Sequence, residues 1–264
     1  MSQVLSLLAD IAEADGTAKV WDLAAGWYRN LGFSRANYGF TRFRSDRTVG
    51  DRDDALFLTT ADPDYVRRYF QGNFYARTPV FRWAARTQGA CTWAWVKAAY
   101  EAGTLTPDEA ETVRQNAAQG VVAGISVSFP DTSTRAKGAL GLIADPGLSV
   151  DAVEEIFADR RADLLAVAHM MHLRLISLPF PTRRRALTTR QREALEWVAD
   201  GKTSMDVALL MGVSAAMVEK HLRLARESLC VDTTAQAVAK AALLNLIFHR
   251  DPALPGAALS VAAR

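Results

Sequence analysis

The spacing of apolar residues in this 264-residue chain indicates two kinds of segment before residue 180. Apolar positions that recur at three- and four-residue steps predict helices over residues 2–13, 17–31, 63–72 and 79–88. Shorter apolar stretches with a strand-like pattern predict strands over residues 36–43, 55–60, 122–130 and 138–144. Segments that interleave in this way favour an α/β layered domain with helices on both faces of a sheet.

Two further helices in this part of the chain have clear start signals. Thr106, Pro107 and Glu109 combine a capping residue, a proline in the first turn and a carboxylate that can reach back to the cap. Ser149 caps a long helix that runs to about Ser177. The apolar stripe of that helix consists of Leu164, Val167, Ala168, Met171 and Leu175.

The segment LPFPTRRRA, residues 178–186, divides the chain. Its two prolines stop the preceding helix, and its three adjacent arginines require solvent. We therefore predict a first domain over 1–177, a linker over 178–186, a second domain over 187–250 and a C-terminal tail over 251–264.

The second domain has the pattern of four short helices. Thr188 and Gln191 form a capping box, Gly201 ends the first helix, and Thr203 and Ser214 cap the next two. The third helix has one apolar stripe, and the fourth has a long apolar face that includes Ala235, Val238, Ala239, Ala242, Leu243, Leu246 and Ile247. Two short helices joined by a glycine-containing turn are typical of a helix-turn-helix.

The charged residues outside the apolar stripe of the third helix include four that could face DNA. They are candidates for DNA binding, with Glu219 and Arg223 assigned to base edges and Lys220 and Arg226 to phosphates. The charge balance agrees, because residues 182–250 carry 11 Lys and Arg against 7 Asp and Glu, whereas residues 1–181 carry 19 against 21. From periodicity alone, a small helical bundle with a solvated charged face stays an alternative.

Other classes of protein receive little support from the sequence. Cys91 and Cys230 have no metal-ligand spacing, which fits a reducing cytosol, and no apolar run is long enough to cross a membrane. No histidine precedes His169, so a nucleophile in the first domain would lack its usual base. His169 and His172 are interpreted as surface or interface residues rather than metal ligands. We expect a cytoplasmic protein that is not an enzyme and has no metal or cofactor.

The motifs LTTRQREALEWVADGK and VALLMGVSAAMVEKHL resemble the LuxR-type DNA-binding domain. The chain departs from that family's pattern at Gln191, where glutamate is usual, and at Met217, where threonine is usual. The resemblance implies a homodimer that binds double-stranded DNA at an inverted repeat. The resemblance also allows RNA polymerase as a further partner.

Residues 1–177 are similar to the acyl-homoserine-lactone-binding domain of LuxR-type quorum-sensing regulators, which implies an α-β-α layered sandwich with an antiparallel sheet. The similarity rests on aromatic, proline and glycine positions, among them the pair Gly120 and Gly124, for which tight backbone packing is an alternative role. The resemblance also implies a small-molecule signal, an acyl-homoserine lactone. The candidate ligand-binding residues are Tyr65, Tyr69, Thr78, Trp93 and Gly141.

Three positions depart from the family's pocket. Tyr65 replaces the tryptophan that holds the lactone carbonyl, Thr78 replaces the aspartate that accepts from the ligand amide, and Ala61 replaces a tyrosine. Hydrogen bonds to charged groups contribute about 1.5–3 kcal/mol against about 1 for neutral pairs, so the polar end of this pocket is weakened. A regulator that is independent of ligand, or that responds to a non-lactone signal, therefore stays an alternative.

Overall fold

The computed structural model describes residues 3–44, 50, 52–67, 74–131, 133–180 and 186–249, and the chain divides into two compact units between Leu175 and Ile176. The helices of the first unit are α1 (Gln3–Glu13), α2 (Thr17–Arg29), α3 (Pro63–Val66), α4 (Pro79–Arg86), α5 (Ala94–Glu101), α6 (Pro107–Ala117) and α7 (Val150–Ser177), which extends into the second unit. Its strands are β1 (Arg35–Thr41), β2 (Ala55–Thr59), β3 (Gly89–Thr92), β4 (Gly124–Ser128) and β5 (Lys137–Ile143).

The described strands form one antiparallel sheet in the order β2-β1-β5-β4-β3. The expected fold class, a layered α/β domain on an antiparallel sheet followed by a small helical domain, is confirmed. Two elements, β3 and α5, were not predicted from the sequence. The helix predicted over 63–72 was also too long, since α3 ends at Val66 and residues 68–73 lie outside the described part of the chain.

One face of the sheet packs against α2 and α7. The Tyr28 hydroxyl of α2 donates to the Leu164 carbonyl oxygen of α7 at 3.4 Å, and Trp21 contacts the ring of Tyr38 on β1. The predicted stripe of α7 is buried along its whole length. Because these large side chains close this face, the first unit has its apolar core on the α2 and α7 side.

The prediction that His172 is a surface or interface residue is wrong. His172 is buried in α7, its Nδ1 atom lies 2.8 Å from the Tyr38 hydroxyl, and its ring stacks on Phe129 at a centroid distance of 4.0 Å. Burial, followed by the positive charges of His169 and Arg42, lowers the pKa of His172 to about 4. An imidazole can occupy the core here because Tyr38 satisfies one of its nitrogens.

The second unit contains α8 (Thr189–Ala199), α9 (Ser204–Met211), α10 (Ala215–Leu229) and α11 (Thr234–Leu243). The capping boxes at Thr188 and Thr203 are present, and Ser214 caps α10 as predicted. Gly212 ends α9 with φ at 65°, the left-handed conformation that glycine adopts at low cost. Between them, α9 and α10 form the helix-turn-helix.

The structure changes two details of the second domain. The buried positions of α11 are Ala237 and Ala241, so most of the apolar face predicted for this helix is exposed, including Leu243 at 48%. Phe180 of the predicted linker donates its backbone N–H to Leu244, so residues 178–180 are joined to the second unit by hydrogen bonds. Residues 181–185 and the predicted tail over 251–264 lie outside the described residues.

Candidate functional site

A cavity of about 730 Å³ lies on the other face of the sheet, where residues of α3 to α6 cover it. The strands that form its floor place small side chains there, because positions two apart on a strand share a face. The lining residues on these strands include Asn37, Gly39, Ser126, Ala139 and Gly141. A floor of small residues leaves room above the sheet, and the cavity is of the size of known small-molecule sites, about 300–1,000 Å³.

Gly141 lies at the centre of this floor, opposite both Asn37 and Ser126 in the strand ladders. A Cβ atom built on Gly141 would find only one neighbour within 4 Å, the Asn37 carbonyl oxygen at 4.0 Å. Its backbone is ordinary strand, with no positive φ. Glycine at this position is therefore not required by the backbone or by close packing, and its effect is to keep the cavity open.

Tyr65 lines the cavity from α3 and is 8% exposed. Its ring packs with Val121 and Ile143, and its hydroxyl accepts a hydrogen bond from Asn37 Nδ2 at 3.4 Å. The Asn37 amide is held in turn, because its Oδ1 atom accepts from the Thr59 hydroxyl at 2.7 Å. The phenol is thus placed at the cavity wall by a chain of hydrogen bonds from two strands.

Trp93 lines the cavity next to Tyr65 and precedes α5. Its indole N–H donates to the Ser126 hydroxyl at 2.9 Å. Gly124 allows this placement, because a Cβ there would lie 3.0 Å from the indole ring and 2.4 Å from the Leu142 carbonyl oxygen. The Ser126 hydroxyl accepts from Trp93 and forms no other hydrogen bond with the described residues, so its hydrogen is available to a ligand.

Thr78 is 2% exposed and forms the N-cap of α4. Its hydroxyl donates to the Tyr75 carbonyl oxygen at 2.8 Å and accepts from the Phe81 N–H at 3.3 Å. A hydroxyl oxygen has two lone pairs, so one acceptor position remains toward the cavity. Thr78 can therefore accept from a ligand, but only while it also holds the helix start.

The structure brings four of the five candidate ligand-binding residues, Tyr65, Thr78, Trp93 and Gly141, to one cavity, whereas Tyr69 lies outside the described residues. Sequence reasoning missed Asn37, Ser126 and Asn116. Asn37 and Ser126 could have been found as polar residues at inward positions of strands. Asn116 is a lining residue of the same cavity, and its amide oxygen is buried without a hydrogen-bond partner among the described residues.

The candidate DNA-binding residues share the outer surface of α10. Glu219, Lys220 and Arg223 are exposed, whereas Arg226 is half-buried and donates to the Thr234 hydroxyl at 2.9 Å. The Glu219 carboxylate accepts from the Ser204 hydroxyl at 2.6 Å, and Arg223 pairs with Glu227 at 2.5 Å. Arg226 is thus the member of the four whose side chain is hydrogen-bonded to α11.

Other kinds of site receive no support from the described residues. None of their helices combines the length and apolar character needed to cross a membrane. They also contain no group of three or more His, Cys, Asp or Glu side chains placed to hold a metal ion.

The first unit contains a cavity large enough for a small ligand, and the second unit is a helix-turn-helix. The combination defines a class of regulators in which one chain binds both a signal and DNA. Comparison with known proteins agrees: residues 16–175 match the family described as the autoinducer binding domain, and residues 185–229 match sigma-70, region 4. The chain belongs to the autoinducer-binding family of LuxR-type transcription regulators, as the sequence resemblance indicated.

Individual relatives match the chain over most of its length. The chain is 29% identical to RpaR of Rhodopseudomonas palustris, named an HTH-type quorum sensing-dependent transcriptional regulator, over 70% of this chain and 72% of RpaR. It is 28% identical to the transcriptional activator SolR of Ralstonia nicotianae, over 83% of this chain and 88% of SolR. The crystal structure of Escherichia coli SdiA is similar in fold, with a TM-score of 0.53, 19% identity and coverage of 94% and 99% of the two chains.

Proposed function

We propose that this protein regulates transcription in response to an acyl-chain signal, with an acyl-homoserine lactone as the first ligand class to test. The observation that carries the proposal is the cavity of about 730 Å³ in the unit that matches the autoinducer binding domain. A core already filled by its own side chains, as a ligand-independent regulator would have, does not agree with an open floor at Gly141.

The uncharged polar groups of the cavity suit neutral donors and acceptors on the ligand. Ser126 offers a hydroxyl hydrogen and Thr78 one acceptor position. The apolar part of the ligand would lie along residues such as Phe57 and Val96.

The second unit would place α10 in the major groove of DNA. We assign Glu219 and Arg223 to base edges and Lys220 and Arg226 to phosphates. Arg223→Ala is expected to weaken operator binding by about 1–3 kcal/mol and to relax preference at one base pair. Competition between the operator and DNA that carries single base changes measures this preference. Equal weakening on every DNA sequence would mean that Arg223 contacts a phosphate instead of a base.

The protein would act as a cytoplasmic homodimer on an inverted repeat, with RNA polymerase as a further partner. The exposed apolar face of α11, including Leu243, supports pairing between two copies, because large exposed apolar patches mark interaction surfaces. Sedimentation of the full chain at micromolar concentration tests this, and a monomer in the presence of ligand and operator would count against it.

The ligand proposal is tested with the full-length chain and acyl-homoserine lactones of different chain length. A ligand that binds only the native state stabilises it by RT ln(1 + [L]/Kd), about 2.7 kcal/mol at a hundredfold excess over Kd. We expect one chain length to raise the thermal midpoint, the soluble yield and operator occupancy together. A protein that binds operator DNA tightly and ignores every lactone would favour a non-lactone signal or none.

A further inference from the structure

The charged residues that line the cavity are almost all cationic. Within the described part of the chain, six charged side chains line it, and Glu101 is the one carboxylate among them. The five cations are Arg44, Arg86, Lys97, Arg114 and Lys137. The bias does not follow from composition, because residues 1–181 carry 19 Lys and Arg against 21 Asp and Glu.

Three of these cations belong to chain segments that meet at one end of the cavity floor. Lys137 lies opposite Thr41 in the ladder between β1 and β5, and its Nζ atom donates to the Thr87 carbonyl oxygen at 3.1 Å, next to Arg86. The Arg44 backbone N–H bonds to the carbonyl oxygen of Arg135, two residues before Lys137. We call Arg44, Arg86 and Lys137 the basic end.

Arg44 is half-buried and Arg86 is exposed, and neither has a counter-ion among the described residues. Lys137 pairs with Asp131 at 2.9 Å, whereas the side chains of Arg44 and Arg86 form no hydrogen bond or ion pair with any described residue. Asp54 is buried nearby, before β2, but does not line the cavity. Lys97 and Arg114 lie on α5 and α6, where Glu101 and the Glu111 partner of Arg114 offset them.

The neutral polar groups are displaced from the basic end along the floor. Asn37 and Ser126 lie in the row through Gly141, and Thr41 and Lys137 form the row four residues away along β1. At about 3.3 Å per residue, the two rows are about 13 Å apart. Uncharged groups therefore occupy the centre of the cavity floor, and the basic end lies to one side of them.

We propose that the signal is an amphiphile with a carboxylate, which the Arg44 and Arg86 guanidinium groups bind at the basic end. The inference rests on the proposed function, because it names the head group of the ligand in the same cavity. A guanidinium matches a carboxylate with paired N–H donors, and such charge-assisted bonds are about twice as strong as neutral ones. Fatty acids and open-chain N-acyl amino acids share this chemistry.

The experiment compares acids with neutral molecules of the same length. The full chain is titrated with N-dodecanoyl-homoserine lactone and its ring-opened acid, and with dodecanoate and dodecanol, all below the concentrations that form micelles. The wild type, R44Q/R86Q and the control K19Q are compared by calorimetric affinity and by thermal midpoint. Lys19 is an exposed cation of α2, on the face of the sheet away from the cavity.

In the wild type and K19Q we expect the acid of at least one pair to bind about tenfold more tightly than its neutral partner. This preference is expected to vanish in R44Q/R86Q and to shrink as salt is raised, since exposed charges are screened. The preferred acid shows whether a fatty acid or an N-acyl amino acid is the source of the carboxylate.

Four outcomes overturn the inference. Equal affinity of acid and neutral partner in both pairs is one, and a preference for the acid that survives R44Q/R86Q is another, because either removes the role of the basic end. Tighter binding of the neutral partner in both pairs, the lactone included, supports the proposed function but overturns the carboxylate head group. No binding of any of the four compounds, by a chain that still binds operator DNA, overturns the carboxylate inference, and lactones of other chain lengths then decide whether the proposed function stands. Unchanged midpoints of the unliganded variants control for folding.

Discussion

The sensor unit and the DNA-binding unit bury apolar residues in different ways. In the DNA-binding unit the four helices meet in a closed core, in which Leu195, Val218 and Leu229 have no exposed surface. In the sensor unit one face of the sheet is equally closed by α2 and α7, but the other face borders a cavity over Gly141.

The two units therefore gain their stability from different sources. The DNA-binding unit gains its apolar free energy from its own side chains, at about 25 cal/mol per Å² buried. The sensor unit leaves apolar wall uncovered, including Phe57, Phe81 and Val96, and a ligand that covers it adds free energy that the unliganded protein lacks. A signal is therefore expected to stabilise the first unit and to leave the intrinsic fold of the second unchanged.

The largest effect on stability is expected for a substitution in the closed core of the DNA-binding unit. Leu195→Ala removes a fully buried side chain of α8 and should cost about 2–5 kcal/mol of unfolding free energy, enough to abolish DNA binding. Urea unfolding, followed by circular dichroism, measures the loss of stability, and an operator-binding assay measures the loss of DNA binding. Leu209→Ala is the matched control, because Leu209 is 83% exposed on α9 and should change stability by less than about 0.5 kcal/mol. Equal costs for the two variants would contradict the closed core.

The second prediction concerns the closed face of the sensor. Burial lowers the pKa of His172 to about 4, against the ordinary value of 6.5, so the unfolded chain binds more protons between these two values. The stability contributed by neutral His172 is complete above pH 6.5 and is lost as the pH falls toward 4. The loss between pH 7.5 and 5 should be about 2 kcal/mol.

His172→Phe isolates this contribution, because it keeps a ring against Phe129 and cannot titrate. The difference in unfolding free energy between the two pH values, measured in urea, should be about 2 kcal/mol smaller in the variant than in the wild type. Carboxylates titrate equally in both proteins and cancel in the comparison. An identical pH dependence would mean that the pKa of His172 is the same in the folded and the unfolded chain.

The two units also differ in how far the sequence predicts them. The helix starts of the second unit are set by partners three residues apart, such as Thr188 with Gln191 and Thr203 with Asp206, so a local pattern contains the whole interaction. The face of α11 could not be predicted in the same way. Its alanines lie on more than one side of the helix, so periodicity does not indicate which of them the core covers.

The features that were missed in the first unit depend on distant partners. β3 is four residues long with no alternating pattern, and it is defined by pairing with β4, where Cys91 lies opposite Ser126. The His172 bond to Tyr38 spans 134 residues. Resemblance to a family located Tyr65, Thr78 and Trp93, but the floor and the hydrogen bonds of the cavity arise only when separate strands are brought side by side.

A smaller effect is expected at the helix start that borders the cavity. Thr78→Ala removes the cap of α4 and should cost about 1 kcal/mol. Thr106→Ala removes the cap of α6, a residue that does not line the cavity, and should cost a similar amount. If Thr78 accepts a hydrogen bond from the signal, only Thr78→Ala should reduce the ligand-induced rise in thermal midpoint. The same reduction in both variants would reassign Thr78 to a purely structural role.

The smallest effect on stability, and the sharpest test of the comparison, is at the cavity floor. Gly141→Val places its side chain in open space and improves strand propensity, so the unfolding free energy should change by less than about 1 kcal/mol. The same side chain occupies ligand volume, so the ligand-induced shift should disappear. Gly124→Ala, on the neighbouring strand, places a methyl 2.4 Å from the Leu142 carbonyl oxygen and should cost about 1–3 kcal/mol. A Gly141→Val protein that is strongly destabilised would mean that the cavity closes in solution, and that the two units are packed alike.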